Sequence, residues 1–160
     1  MAFGDMTAHP LYVIRHAKAG SRREWRGSDD RRPLSEPGRE QAAGLVGTFA
    51  GLDVEAIISS SSLRCIQTVE PLAAARGLSV QTDPVLAEGA DPAAALRFAE
   101  RHTERPVVLC SHGDVIQGLL QQLQEVGVPF GPDPKLQKGS TWVLLRGRDR
   151  WKEARYIPPP

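Results

Sequence analysis

Cysteine is scarce in this chain, with two residues in 160. That excludes the disulfide framework that staples many small secreted domains. Cys65 and Cys110 lie in apolar-periodic segments and read as reduced core residues, at a spacing that matches no zinc or redox motif. An excess of charge of one sign is also lacking: 20 Lys and Arg stand against 19 Asp and Glu, a formal net charge of +1. The global electrostatic case for nucleic acid or an acidic membrane as partner is therefore removed. No apolar run approaches the length that spans a bilayer, and the N-terminus has no apolar signal region. A cytoplasmic enzyme or binding module is expected. There is no internal repeat, no interdomain linker, and no Walker loop, GxGxxG or HExxH pattern.

What is present is an alternation of short apolar runs and helical patterns. Leu11 to Arg15, apolar through Ile14, reads as a buried strand. About eighteen residues follow, Ala17 to Leu34, rich in Arg, Asp, Gly and Ser; a loop that long in a small domain is usually functional or disordered. Ser35 can cap a helix whose apolar face is Ala42, Leu45, Val46 and Phe49, with Gly51 as its stop. Val54 to Ser59 reads as the second strand. One of Ser60, Ser61 and Ser62 can cap the next helix, which carries Arg64 in its first turn and ends at Gly77. Pro71 falls inside that helix, where a kink or a break is expected.

Leu78 to Thr82 reads as a third strand, and the loop after it holds Glu88. Asp91 and Pro92 start a helix running to about His102. Val107 to Cys110 reads as the fourth strand. The helix from Asp114 to about Val126 has the stripe Val115, Ile116, Leu119, Leu120 and Leu123. After a Pro- and Gly-rich loop, Thr141 to Leu145 and Trp151 to Ile157 are expected to pair, turning at Gly147-Arg148-Asp149. Residues 1–9 read as a loose start and 158–160 as a tail outside the core, so that 1–160 forms one domain. Strands alternating with helices place the chain in the α/β class, as a three-layer α/β/α sandwich around a mainly parallel sheet.

Two of the strand-like runs deliver a histidine at their carboxyl ends, in Arg15-His16 and in Ser111-His112-Gly113. Ligands of open α/β sheets bind beyond the carboxyl ends of the strands. Four loops are expected to leave that edge, carrying Arg15-His16, Arg64, Glu88 and His112. Two arginines, two histidines and a carboxylate suit phosphoryl transfer: arginine forks bind pairs of phosphate oxygens, a helix start near Ser62 to Arg64 adds N–H donors, and neutral imidazole is an adequate nucleophile. A cysteine-phosphatase reading fails, because Cys110-Ser111-His112-Gly113-Asp114-Val115-Ile116-Gln117 has no arginine to close a phosphate loop. The cluster Arg22, Arg23, Arg26, Arg31 and Arg32, interleaved with Glu24, Asp29 and Asp30, reads either as a solvated loop or as a substrate loop over the pocket. In the second case Lys18, Ser21 and Arg22 stand nearest the chemistry. Trp25 could stack on a base, cover the site, or pack the loop down. His9 and His102 read as surface residues.

These residues carry a family resemblance. Leu11 to Ala19, with Arg15-His16-Ala17, resembles the RHG-type signature of the histidine phosphatase superfamily. Ser62 to Thr68 resembles its second arginine motif, Ser111-His112-Gly113 its second histidine motif, and Pro33 to Ala42 its first-helix entry. The short length is similar to that of the small phosphohistidine phosphatases of the SixA kind. A further likeness, around Glu88 and Gly139 to Val143, is to the domain that follows a Nudix hydrolase in actinobacterial MutT-like proteins. Ala17 stands where glycine is common in the family, and the acid position around Glu88 varies within it.

The resemblance implies a phosphoglycerate-mutase-like fold and a two-step phosphatase mechanism that requires no metal or other cofactor. His16 would attack phosphorus to form a phosphohistidine that water then hydrolyses. Arg15, Arg64 and His112 would hold the phosphoryl oxygens, and Glu88 would be the proton donor. The implied partner is a phosphohistidine protein or a small phosphorylated substrate such as a nucleotide or sugar phosphate. Two other readings stay open: a non-catalytic phosphate-binding or interaction module on the same fold, and a subunit acting in trans with a separate Nudix hydrolase. Oligomeric state is not legible in the sequence.

Overall fold

The computed structural model describes residues 9–130 and 135–160. A single six-stranded sheet runs through them. Its strands are β1 (Leu11–Arg15), β2 (Ala56–Ser59), β3 (Val80–Thr82), β4 (Val107–Ser111), β5 (Thr141–Arg146) and β6 (Trp151–Ile157). The spatial order is β3-β2-β4-β1-β5-β6. The first four strands of that order pair in parallel, and β5 and β6 continue the sheet antiparallel. Four helices cover it: α1 (Glu36–Thr48), α2 (Leu63–Arg76), α3 (Pro92–Glu100) and α4 (Gly113–Glu125).

Strand alternation divides the core in two. Tyr12, Ile14, Ile57, Val108 and Cys110 point to one face, where Leu45, Cys65, Val69 and Leu72 of α1 and α2 cover them. Leu11, Val13, Ile58 and Leu109 point to the other, against Phe98 of α3 and Ile116, Leu119 and Leu123 of α4. The chain leaving β1 therefore turns to one face while the chain leaving β4 turns to the other. Adjacent parallel strands whose connections diverge open a crevice at their carboxyl ends. Register then sets what enters it. Arg15 lies opposite Ser111, so His16 and His112 leave the sheet side by side.

Local signals account for the helix starts. The Ser35 side chain accepts from the Gly38 N–H, and Asp91 accepts from Ala93 N–H with Pro92 at the first helical position. Gly77 closes α2 in the left-handed conformation. Of the kink or break expected at Pro71, the break does not occur: α2 continues to Arg76. The proline removes one backbone bond, while the buried face of Cys65, Val69 and Leu72 is held by the sheet across that point. Helix packing outweighs the local penalty. The expected loose start falls outside the described residues except for His9, whose N–H donates to the Thr103 carbonyl at 2.8 Å. Residues 131–134 of the Pro- and Gly-rich loop also lie outside them. No helix among the described residues is long and apolar enough to cross a membrane.

The long segment after β1 is tied to α1 rather than loose. Ser35 donates to the Lys18 carbonyl from both its N–H and its Oγ, each at 3.0 Å. A Cβ on Gly38 would overlap that same carbonyl oxygen. Gly38→Ala is therefore expected to push Lys18 off the helix and cost about 1–3 kcal/mol, as overpacking does. Urea denaturation measures this, and a loss below about 0.5 kcal/mol would show that the contact yields freely.

Candidate active site

The structure brings Arg15, His16, Arg64, Glu88 and His112 together in the crevice. Arg15, His16, Glu88 and His112 line a cleft of about 860 Å³, joined by Gly20, Ser21, Arg22, Arg32, Gln117, Lys135 and Lys138. Arg64 lies beneath it, fully buried.

His16 is 7% exposed. Its Nδ1 lies 2.8 Å from the Ala17 carbonyl oxygen. A carbonyl only accepts, so Nδ1 carries the hydrogen and Nε2 keeps its lone pair. Burial pulls the His16 pKa down to about 3, against the upward pull of that backbone bond; His112, Arg64 and Arg15 push it the same way as burial. The ring is thus neutral at pH 7. The loop behind it is anchored through Thr68, which accepts from the Ala17 N–H at 2.9 Å and donates to the Arg64 carbonyl at 2.7 Å. One hydroxyl joins the two motifs.

His112 stands at the N-cap position of α4 without a side-chain capping bond, its ring 5.4 Å from that of His16. Its Nδ1 faces Arg64 Nη2 at 3.4 Å and its Nε2 meets Ser60 Oγ at 2.9 Å. Guanidinium offers only donors. Nδ1 is consequently the acceptor and Nε2–H the donor to Ser60. The Cys65 thiol also touches Nε2, at 3.5 Å. Gly113 lacks a side chain where one would meet the Arg15 guanidinium at 2.9 Å. That guanidinium donates from Nη1 to the Leu136 carbonyl at 2.6 Å, while its buried Nε has no partner among the described residues.

Arg64 is the most heavily contacted charge. Its Nη1 donates to the Asp29 carbonyl at 2.8 Å, and its Nη2 pairs with Asp29 Oδ2 at 3.1 Å and Glu88 Oε2 at 3.3 Å. Arg22 reaches over to Glu88 Oε1 at 3.1 Å. Arg32 Nε pairs with Asp29 Oδ1 at 3.1 Å and Arg32 Nη1 donates to the Gly20 carbonyl at 2.7 Å. Burial raises the Asp29 carboxyl, but Arg32, Arg64 and Arg22 outweigh it and hold the group below its ordinary range.

Of the residues expected near the substrate, Ser21 and Arg22 line the cleft. Lys18 does not; its side chain lines a separate, shallower groove. Trp25 lies outside the cleft lining and donates from Nε1 to the Ser28 carbonyl at 2.8 Å, packing its own loop. Three site residues, Ser60, Lys135 and Lys138, escaped the sequence reading, and Asp29 and Arg32 were reached only as members of the charged loop cluster. Ser60 stood in a run read only for helix caps, and Arg32 in a cluster read as solvated loop or substrate loop, yet it is buried. The lysines carried no local signal.

A family model described as the histidine phosphatase superfamily, branch 1, matches residues 11–90. An 8-oxo-(d)GTP phosphatase of Mycolicibacterium smegmatis is 35% identical over 155 residues, covering 94% of this chain and 48% of the relative. The chain thus spans about half the length of that protein. Among solved structures, the protein histidine phosphatase SixA complexed with tungstate superposes with a TM-score of 0.69 at 19% identity, over 94% of this chain and 95% of its own. The mycobacterial glucosyl-3-phosphoglycerate phosphatase Rv2419c gives 0.65 at 19% identity, over 91% and 99%. The shared architecture is the phosphoglycerate-mutase-like α/β/α fold.

The depressed His16 pKa has a consequence for stability. Between about pH 3 and 6.5 the unfolded chain protonates this imidazole while the folded chain does not. Its contribution is full above pH 6.5 and is lost as pH falls toward 3. From pH 7 to about pH 4.5 wild type should lose roughly 2 kcal/mol more than His16→Asn in urea denaturation. Equal losses in the two proteins would show that the ring is not held neutral by the fold.

Proposed function

The chain belongs to branch 1 of the histidine phosphatase superfamily and is a phosphatase of that family; we propose that it works without a metal ion, through a covalent phosphohistidine on His16. The observation that carries this reading is the state of His16 at the base of the cleft. The ring is neutral, its Nδ1–H is turned onto the Ala17 carbonyl, and the Nε2 lone pair is left for phosphorus.

In the proposed first step Nε2 attacks phosphorus, the N–P bond forms, and the bond to the leaving oxygen breaks with its electron pair. Arg15 and Arg64 neutralise charge on the equatorial oxygens, with His112 beside them at the phosphoryl group. The phosphoryl group takes Glu88's place on Arg64, and Glu88, carrying a proton taken up from solvent, gives it to the leaving oxygen. In the second step Glu88 takes a proton from water, the N–P bond breaks, and phosphate and neutral His16 are restored. Positive charge that a metal would otherwise supply comes from the arginines.

The substrate we propose is a small phosphorylated molecule. The cleft volume falls in the range of small-ligand pockets, and the likeness to an 8-oxo-(d)GTP phosphatase favours a nucleotide. A phosphohistidine protein is the second member of the class to test. The experiment is phosphate release in EDTA from a phosphohistidine peptide, nucleoside mono- and diphosphates, sugar phosphates and an activated aryl phosphate. Wild type should turn over, and His16→Ala should fall by about a thousandfold or more. Residual activity above that, or loss in EDTA restored by a divalent ion, would overturn the mechanism. Glu88→Gln should slow esters with poor leaving groups at least about tenfold more than the aryl phosphate. Equal slowing would remove Glu88 from the acid role.

A further inference from the structure

The cleft holds more positive charge than one phosphoryl group calls for, and the charge is unevenly answered. On one side Arg22 and Arg64 are paired with Asp29 and Glu88. On the other side stands Lys138, with Lys18 in the groove that adjoins it, and no carboxylate among the described residues pairs with either. The two lysines are held together by one amide. Gln41 of α1 accepts the Lys18 N–H on Oε1 at 2.9 Å and donates from Nε2 to the Lys138 carbonyl at 3.2 Å. At Gly139, φ is +82°, and a Cβ would press on that amide at 3.2 Å. The Gly139 N–H bonds the Arg15 and His16 carbonyls at 3.0 and 3.2 Å. The lysine segment is thereby registered on the backbone of His16 itself.

Lys18 and Lys138 line a groove of about 360 Å³ with Gln41, Gln137 and Pro159. Lys138 also lines the main cleft, so the groove adjoins the site at that residue. Partial burial lowers the Lys138 pKa, and so do its charged neighbours, Arg15, Arg32, Lys18 and Arg22, all cations. Crowded like charges are unfavourable unless an anion is placed among them. A lysine ammonium on its flexible stem is a point-charge ligand for phosphate or carboxylate.

We propose that Lys18 and Lys138, held side by side by Gln41 at the lip of the cleft, form a subsite for a second anionic group of the substrate. The molecule bound is then a phosphorylated compound with a further phosphate or carboxylate, rather than a simple phosphomonoester. This inference rests on the phosphatase reading above and names the class of substrate that the site prefers.

The test is competitive inhibition of aryl phosphate hydrolysis by three compounds on one skeleton: propyl phosphate, 3-phosphooxypropanoate and propane-1,3-diol bisphosphate. In wild type one or both doubly functional compounds should bind at least about tenfold more tightly than propyl phosphate. The compound that gains tells whether the second group is a carboxylate or a phosphate. In Lys18→Gln/Lys138→Gln that advantage should shrink to within about twofold, and the inhibition constant for propyl phosphate reports whether the phosphoryl pocket is intact. Three equal constants in wild type, or an advantage that survives in the variant, would overturn the subsite. Failure of wild type to hydrolyse the aryl phosphate would instead overturn the phosphatase reading.

Discussion

A guanidinium with no access to water organises this molecule. Arg64 is fully buried, and a buried charge is tolerated only when it is paired and hydrogen-bonded. Its partners come from three separate stretches of chain: Asp29 from the segment after β1, Glu88 from the loop after β3, and His112 from the start of α4. Pairing its two terminal nitrogens therefore positions three loops, while its buried Nε has no partner among the described residues. Asp29 extends the effect, since it also pairs with Arg32 and so steadies the loop through the Gly20 carbonyl. The eighteen-residue connection after β1 is ordered by charge more than by apolar packing, and only Ala17 and Leu34 at its two ends join a small core with Ala42.

The same crowding of arginines sets the chemistry. Removal from water, with His112, Arg64 and Arg15 nearby, holds His16 neutral, and the Ala17 carbonyl selects its tautomer. A lone pair on Nε2 is then left beside a cleft rich in donors, where in the proposed mechanism an incoming phosphoryl group would compete with Glu88 and Asp29 for Arg64. The carboxylates keep the cations satisfied while the site is empty. At the lip of the cleft the lysines lack such counterions among the described residues, and there the charge is left for the ligand.

Much of the framework was legible in the residues. Continuous apolar runs marked β1 and β4, the stripe of α4 followed helical spacing, and Ser35 and Asp91 capped the helices they were expected to cap. Arg15, His16, Arg64 and His112 could be singled out because each closes or opens an element at a place the pattern reveals. The break that was one alternative at Pro71 does not occur, because local propensity takes no account of a helix face already buried on a sheet. Asp29, Arg32 and Ser60 were not legible as site residues. Their neighbours in sequence resemble ordinary loop or cap composition; Asp29 meets Arg64 across 35 positions and Ser60 meets His112 across 52, the latter through a bond that depends on which ring nitrogen carries hydrogen.

By itself the sequence determined the order of strands and helices and the points where the chain turns, since periodicity, capping and the dihedral preferences of glycine and proline act over a few residues. It also carried the motifs by which the family resemblance is recognised. Tertiary structure decided the rest: which carboxylate meets which arginine, which imidazole nitrogen holds the proton, and which lysines remain without a counterion among the described residues. Those outcomes depend on distance in space and on exclusion of water. Both exist only after β1 and β4 lie side by side and their connections part to opposite faces of the sheet.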